Sequence, residues 1–176
     1  MIHATPRSSD TASEADIIVA WWRGLRRRRD QGDGSARAAI SALRHARPGE
    51  SVHVLGQPDV IALLRRLHIP TTVSEQRIER ILGLVRVLAQ LKGEAVVHPA
   101  RALGQPQKRP RLSALGLQRL LRSRTPEELE RSLSRAIELL DKRAEPHALA
   151  ETMLFWGDHI RVRWQLEYNQ LDPPES

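Results

Sequence analysis

Arg119 and Arg122 stand three residues apart in a leucine-rich stretch, a spacing that sets two guanidinium groups one helical turn apart. Lys108-Arg109-Pro110-Arg111 lies just before them, Arg124 just after, and Arg26-Arg27-Arg28-Arg29 forms a continuous run near the start. A planar guanidinium fork suits bidentate contact with a phosphate, so clusters of this kind point to a polyanionic partner. Arginine outnumbers lysine 25 to 3. Location carries more weight than the total, because GC-rich coding alone enriches arginine. Residues 20–47 carry a net +6 and residues 101–124 a net +7 with no acid, whereas residues 125–176 carry −5. Charge of one sign gathered into blocks is the electrostatic footprint of a nucleic-acid partner.

Other chemistry finds little support. There is no cysteine, which excludes disulfides, thiol nucleophiles and cysteine-held zinc or iron–sulfur sites. The seven histidines are scattered, and none pairs with a carboxylate at metal-ligand spacing. Asp158 and His159 are adjacent, so on a helix they point apart. The acids of Glu127-Glu128-x-Glu130 are explained by helix capping. No phosphate-cradling glycine loop or nucleophile elbow is present. The expectation is a protein that is no enzyme and uses no metal or cofactor.

Good helix formers dominate the elements that must carry these arginines. Ser13 caps a first helix with Asp16 three residues on, Ile17, Trp21 and Leu25 form its buried stripe, and its basic end complements the helix dipole. Helices are predicted over about 35–46, 58–67 and 74–92, with Ala39, Ile40 and Leu43 inward in the first and Ile78 to Leu88 making one apolar face of the last. Residues 52–55 are the best strand candidate. Residues 93–110 read as an irregular basic loop. Ser113 caps a helix to about 123, with Leu117, Leu120 and Leu121 inward. Thr125-Pro126-Glu127-Glu128 opens another to about 140, and a last helix spans 146–169 with Leu149, Met153, Trp156, Ile160 and Trp164 on one stripe. Trp22 falls off the main stripe and is expected to be half exposed.

The fold expected is all-α, a compact helical bundle over residues 17–169, with either one core or two packed lobes joined by the basic loop at 93–110. Residues 1–16 and 170–176 read as a flexible N-terminus and a flexible tail. No apolar run approaches the ~18 residues of a membrane span, and the polar N-terminus lacks the apolar segment of a secretory signal, so a cytoplasmic protein is expected. A duplex-reading helix-turn-helix fits poorly. The connection at 68–73 is long, and Glu75 and Glu79 would meet phosphate where a recognition helix approaches DNA. With only six aromatic side chains, strand binding must lean on charge rather than stacking.

Four local patterns then combine. Trp21-Trp22-Arg23-x-Leu25, Gly34-Ser35-Ala36-Arg37-Ala38, Leu112-Ser113-x-Leu115-x-Leu117-Gln118-Arg119-Leu120-Leu121-Arg122, and Phe155-Trp156-Gly157-Asp158 followed by Arg161-x-Arg163-Trp164 occur in the order and spacing that resemble the CasB family over roughly residues 17–168. CasB proteins are the small subunit of the type I-E CRISPR surveillance complex, Cascade. The resemblance implies an all-helical, non-catalytic subunit, present as paired copies, whose partners are other Cascade subunits, guide RNA and target DNA including the displaced strand of the R-loop.

Arg37, Arg119, Arg122 and Arg161 stand where the family motifs carry arginine. Ser41 and Ala42 replace a frequent basic pair, and Gly116 a frequent basic residue, which weakens the second helix as a contact surface. With the neighbouring basic residues, the expected nucleic-acid-binding set is Arg26, Arg27, Arg37, Arg44, Lys108, Arg109, Arg111, Arg119, Arg122, Arg124, Arg161 and Arg163. Two other functions fit the same charge: a protein-docking scaffold whose basic blocks meet acidic protein surfaces, and a free-standing helical nucleic-acid-binding regulator.

Overall fold

The computed structural model describes residues 12–105 and 109–171. Helix α1 spans Glu14–Asp30 and opens on the expected capping box: the Asp16 N–H donates to Ser13 Oγ at 3.1 Å, and the Ser13 N–H donates to the Asp16 carboxylate at 3.0 Å. The helix thus begins inside the segment assigned from sequence to a flexible N-terminus. Gly32, at φ +90°, takes the left-handed turn that ends it. Asp33 then caps α2 (Gly34–His45) by accepting from the N–H groups of Ser35 and Ala36.

Two short helices follow, α3 (Ser51–Leu55) and α4 (Pro58–Arg66). The strand expected at 52–55 is therefore a helical turn. Its apolar–polar alternation is real, but no strand among the described residues pairs with it, and within it Val54 alone is buried.

Helix α5 (Glu75–Ala89) is the centre of the molecule. Residues 81–89 are buried without exception, and α5 packs on α2, α8 and α9. A helix apolar on all sides must be surrounded. Past its end, β1 (Gly93–Glu94) pairs in parallel with β2 (Arg143–Ala144), and α6 (Pro99–Gly104) follows. The segment read as an irregular loop from 93 to 110 thus holds a strand and a helix. His98 caps α6 through its ring, and Pro99 occupies the first helical position. Six residues were too few to register as a periodic pattern.

Helices α7 (Ala114–Leu121), α8 (Pro126–Leu139), α9 (Pro146–Leu154) and α10 (Asp158–Tyr168) complete the chain. The single last helix expected over 146–169 is two, broken at residues 155–157, where Gly157 is fully extended. The stripe survives the break: Leu149, Met153, Ile160 and Trp164 are all buried. Trp22 is buried rather than half exposed, with the Arg26 guanidinium 4.9 Å above its ring. The first helix also buries Ile18 and Val19, leaving Ile17 at the edge of the core.

One cluster of buried apolar side chains runs from Ala15 to Trp164, so the helices share a core instead of dividing into two lobes. Within it sits an ion pair. Arg86 of α5 and Glu130 of α8 are 1% and 2% exposed and meet in a bidentate contact at 2.7 and 2.9 Å. A charge there is tolerable only with such a partner. Among the described residues, no helix is long and apolar enough to cross a membrane.

Candidate nucleic-acid interface

The basic end of α1 is knitted into the fold. The Arg23 side chain donates twice to Glu94, at 3.1 and 2.7 Å. Arg28 reaches Asp33, Ser35 and Asp59, tying α1 to the cap of α2 and to α4. Arg29 pairs with Asp30. Arg26 lies over Trp22 and donates to the Lys92 carbonyl at 3.0 Å. Arg44 of α2 donates to the Ala89 carbonyl at 2.7 Å, closing an orphan acceptor at the end of α5. Burial, followed by repulsion from Arg29 and Arg26, holds the Arg44 pKa below its ordinary value. Within this run only Arg27 is exposed with no side-chain partner among the described residues; on α2, Arg37 is likewise free.

The end of α7 is built differently. Leu117 and Leu120 are buried and anchor the helix, and Arg119 and Arg122 face water. The Ser123 carbonyl is pinned from two sides, by Trp156 Nε1 at 2.9 Å and by Arg161 at 3.2 Å. With residue 123 fixed inward, its neighbours Arg122 and Arg124 are both turned out. The guanidinium groups of Arg119, Arg122 and Arg124 have no partner among the described residues. Arg124 borders a groove lined by Glu75, Glu79 and Glu127, which marks the acidic limit of this surface.

Arg161 therefore positions the α7–α8 corner from within. It also pairs with Asp158 at 3.1 Å and lies 5.2 Å from the Trp156 ring. Arg163 pairs with Glu151 at 3.1 Å. Arg111 donates to the Leu139 carbonyl at 3.1 Å and reaches Asp141 at 3.4 Å. Arg109 is exposed and free of partners among the described residues. Lys108 lies outside the described residues. Of the twelve candidates, Arg27, Arg37, Arg109, Arg119, Arg122 and Arg124 thus present uncommitted charge, while Arg26, Arg44, Arg111, Arg161 and Arg163 are engaged within the molecule.

Two features carried no sequence signal. Arg143, in the acid-rich last third, shares a cavity of about 200 Å³ with Arg109 and Arg111. Arg86 and Glu130 are 44 residues apart, and each looks in sequence like an ordinary surface charge of its helix. Elsewhere, burial pushes His98 down to about 4, so its ring is neutral and Nδ1 is open to accept from the Ala100 N–H. Among the described residues, no group of three or more histidine, aspartate or glutamate side chains is placed to hold a metal ion.

An all-helical body with uncommitted arginines at one short helix defines a class of small helical proteins with an exposed basic edge. Comparison with known proteins gives the class its name. The family model described as CRISPR-associated protein Cse2 matches residues 36–168. In fold, the chain is similar to a Cse2-family CRISPR-associated protein from Thermus thermophilus, with a TM-score of 0.66 at 20% identity, covering 90% of this chain and 99% of that one. It is also similar to a structure of CasB from Thermus thermophilus, with a TM-score of 0.63 at 19% identity over the same shares. A search of curated proteins finds no match. The chain belongs to the Cse2 family, the CasB-type family that its motifs resemble.

Proposed function

We propose that this Cse2-family protein is a non-catalytic small subunit of a Cascade complex, acting in antiviral defence by holding nucleic-acid strands without reading their sequence. The strands are the guide RNA and the opened target DNA, the displaced strand included, and copies of the subunit work in pairs alongside other Cascade subunits. The observation that carries this is the outer face of α7 and its C-cap: Arg119 and Arg122 project to solvent with no partner among the described residues, within a stretch that contains no acid. Opening a duplex while forming an RNA–DNA hybrid is close to balanced in energy. Contacts to the backbone are then enough to tip it.

The test is a salt titration with single-stranded DNA of unrelated sequences. Six uncommitted arginines at ~0.7 per single-strand contact give a slope of log K against log salt of about −4, the same for every sequence. A slope near zero would falsify the proposal.

The docking-scaffold reading keeps one observation of its own. Val162 and Leu166, four residues apart on α10, are 55% and 44% exposed on the side away from Ile160 and Trp164. Crosslinking within the assembled complex separates the two: strands bound to this subunit support the first, and strands bound only to its neighbours support the second.

A further inference from the structure

Arg109, Arg111 and Arg143 converge on one cavity of about 200 Å³, lined besides by Ala102, Gln105 and Leu140. No carboxylate is among the lining residues. Three like charges around one space repel one another unless an anion occupies it. Their donors are also largely uncommitted. Arg109 has no partner among the described residues. Arg143 makes one long contact, 3.4 Å to the Glu94 carbonyl. Arg111 spends a single nitrogen on the Leu139 carbonyl and on Asp141, whose side chain is itself 83% exposed.

The cavity is built by the fold rather than by chance side-chain drift. Parallel pairing of β1 with β2 sets Gly93 opposite Arg143, and a Cβ on Gly93 would lie 2.8 Å from Arg143 Nη1. The glycine leaves the space that the guanidinium fills. Leu112 donates its N–H to the Leu103 carbonyl at 3.2 Å, which holds the chain beside Arg111 against α6.

We infer that this cavity seats one phosphate of a bound strand's backbone, with Arg143 as a contact residue alongside Arg109 and Arg111. Arg111 precedes the α7 cap Ser113 by two residues, and Arg122 closes the far end of α7. The eight residues of α7 rise about 12 Å, so the pocket lies near the start of that helix and Arg122 at its far end, a separation one extended strand can span. This inference rests on the strand-holding function proposed above and adds to it a fixed anchoring point.

The test uses the full chain with two probes, inorganic phosphate and a single-stranded DNA oligonucleotide. Inorganic phosphate is expected to shift the amide resonances of residues 93, 109, 111 and 143 saturably and to compete with the oligonucleotide. Arg109→Ala, which removes no internal contact, is expected to make the salt slope shallower by about 0.7. Gly93→Ala keeps every charge but displaces the Arg143 guanidinium, and it should weaken both probes at an unchanged melting temperature.

If both variants bind the oligonucleotide as the parent does while Arg119→Ala/Arg122→Ala does not, the pocket inference is overturned and the proposed function stands. If phosphate shifts those resonances yet never competes with the strand, the cavity takes free phosphate and the strand assignment is overturned. If neither the pocket variants nor the α7 pair changes strand binding, the proposed function itself fails.

Discussion

The end of α1 and the end of α7 are matched in sequence charge and opposite in structure. In the first, Arg23, Arg26, Arg28 and Arg29 all have partners: carboxylates for three of them, and a carbonyl with the Trp22 ring for Arg26. Only Arg27 is left over. In the second, Arg119, Arg122 and Arg124 are all uncommitted among the described residues. Formal charge counts ions; a polyanion responds to those not already neutralised nearby. Among the described residues the block of +7 keeps four arginine side chains without a partner (Arg109, Arg119, Arg122 and Arg124) and the block of +6 keeps three (Arg27, Arg37 and Arg47), so the two ends differ in how their arginines are clustered more than in how many are free.

The largest effect comes from carrying the structural use of arginine to its limit. Glu130→Ala removes both short contacts of the buried Arg86 guanidinium and leaves it only Glu79 at 3.9 Å, and a loss of about 3–5 kcal/mol in urea unfolding is expected. A loss below ~1 kcal/mol would show that Glu79 or water takes over the guanidinium and would erase the contrast at its deep end.

Acid separates the body from its charged edge. His98 is neutral in the fold at about 4, against 6.5 when unfolded. Its folded pKa is depressed, so its contribution is complete above pH 6.5 and declines as pH falls toward 4. The decline is on the order of 3 kcal/mol, readable as a falling urea midpoint over that window. His98→Asn keeps a capping side chain and should flatten the profile. Arginine does not titrate there, so strand affinity of the folded protein should hold constant.

The comparison itself is tested by paired substitutions. Arg119→Ala/Arg122→Ala should make the salt slope of strand binding shallower by about 1.4, equally for all sequences, with no change in melting temperature. Loss on one sequence alone would indicate base reading instead. The smallest effect belongs to Arg28→Ala. Its contacts to Asp33 and Asp59 are partly exposed, so a stability loss of about 1 kcal/mol or less is expected, with strand binding unchanged. If Arg28→Ala weakens strand binding as much as the α7 pair does, the division between the two regions is wrong.

Local signals were the legible part of this chain. Ser13 with Asp16 and Thr125 with Pro126 announced two helix starts, because a cap is written within four residues of what it caps. The break at 155–157 was hidden for a related reason: the three- and four-residue steps from Met153 through Trp156 to Ile160 continue across it, and only Gly157 interrupts them. The site was legible as charge and illegible as availability. Arg23 meets Glu94 across 71 positions and Arg26 meets the Lys92 carbonyl across 66, and no local pattern encodes such meetings. Arg143 escaped notice because its place depends on a two-residue strand pairing, far below any periodic signal.

The union of Arg86 with Glu130 has a consequence for how this chain can be recombined. The two residues come from α5 and α8, with the whole α6–α7 region strung between them. A single splice in that interval takes the two from different parents, so it keeps the pair only where both parents carry it, and otherwise both positions must be replaced together by fitting apolar residues. Crossovers outside it are under no such restriction, so the bond divides the gene into exchangeable ends and an indivisible middle.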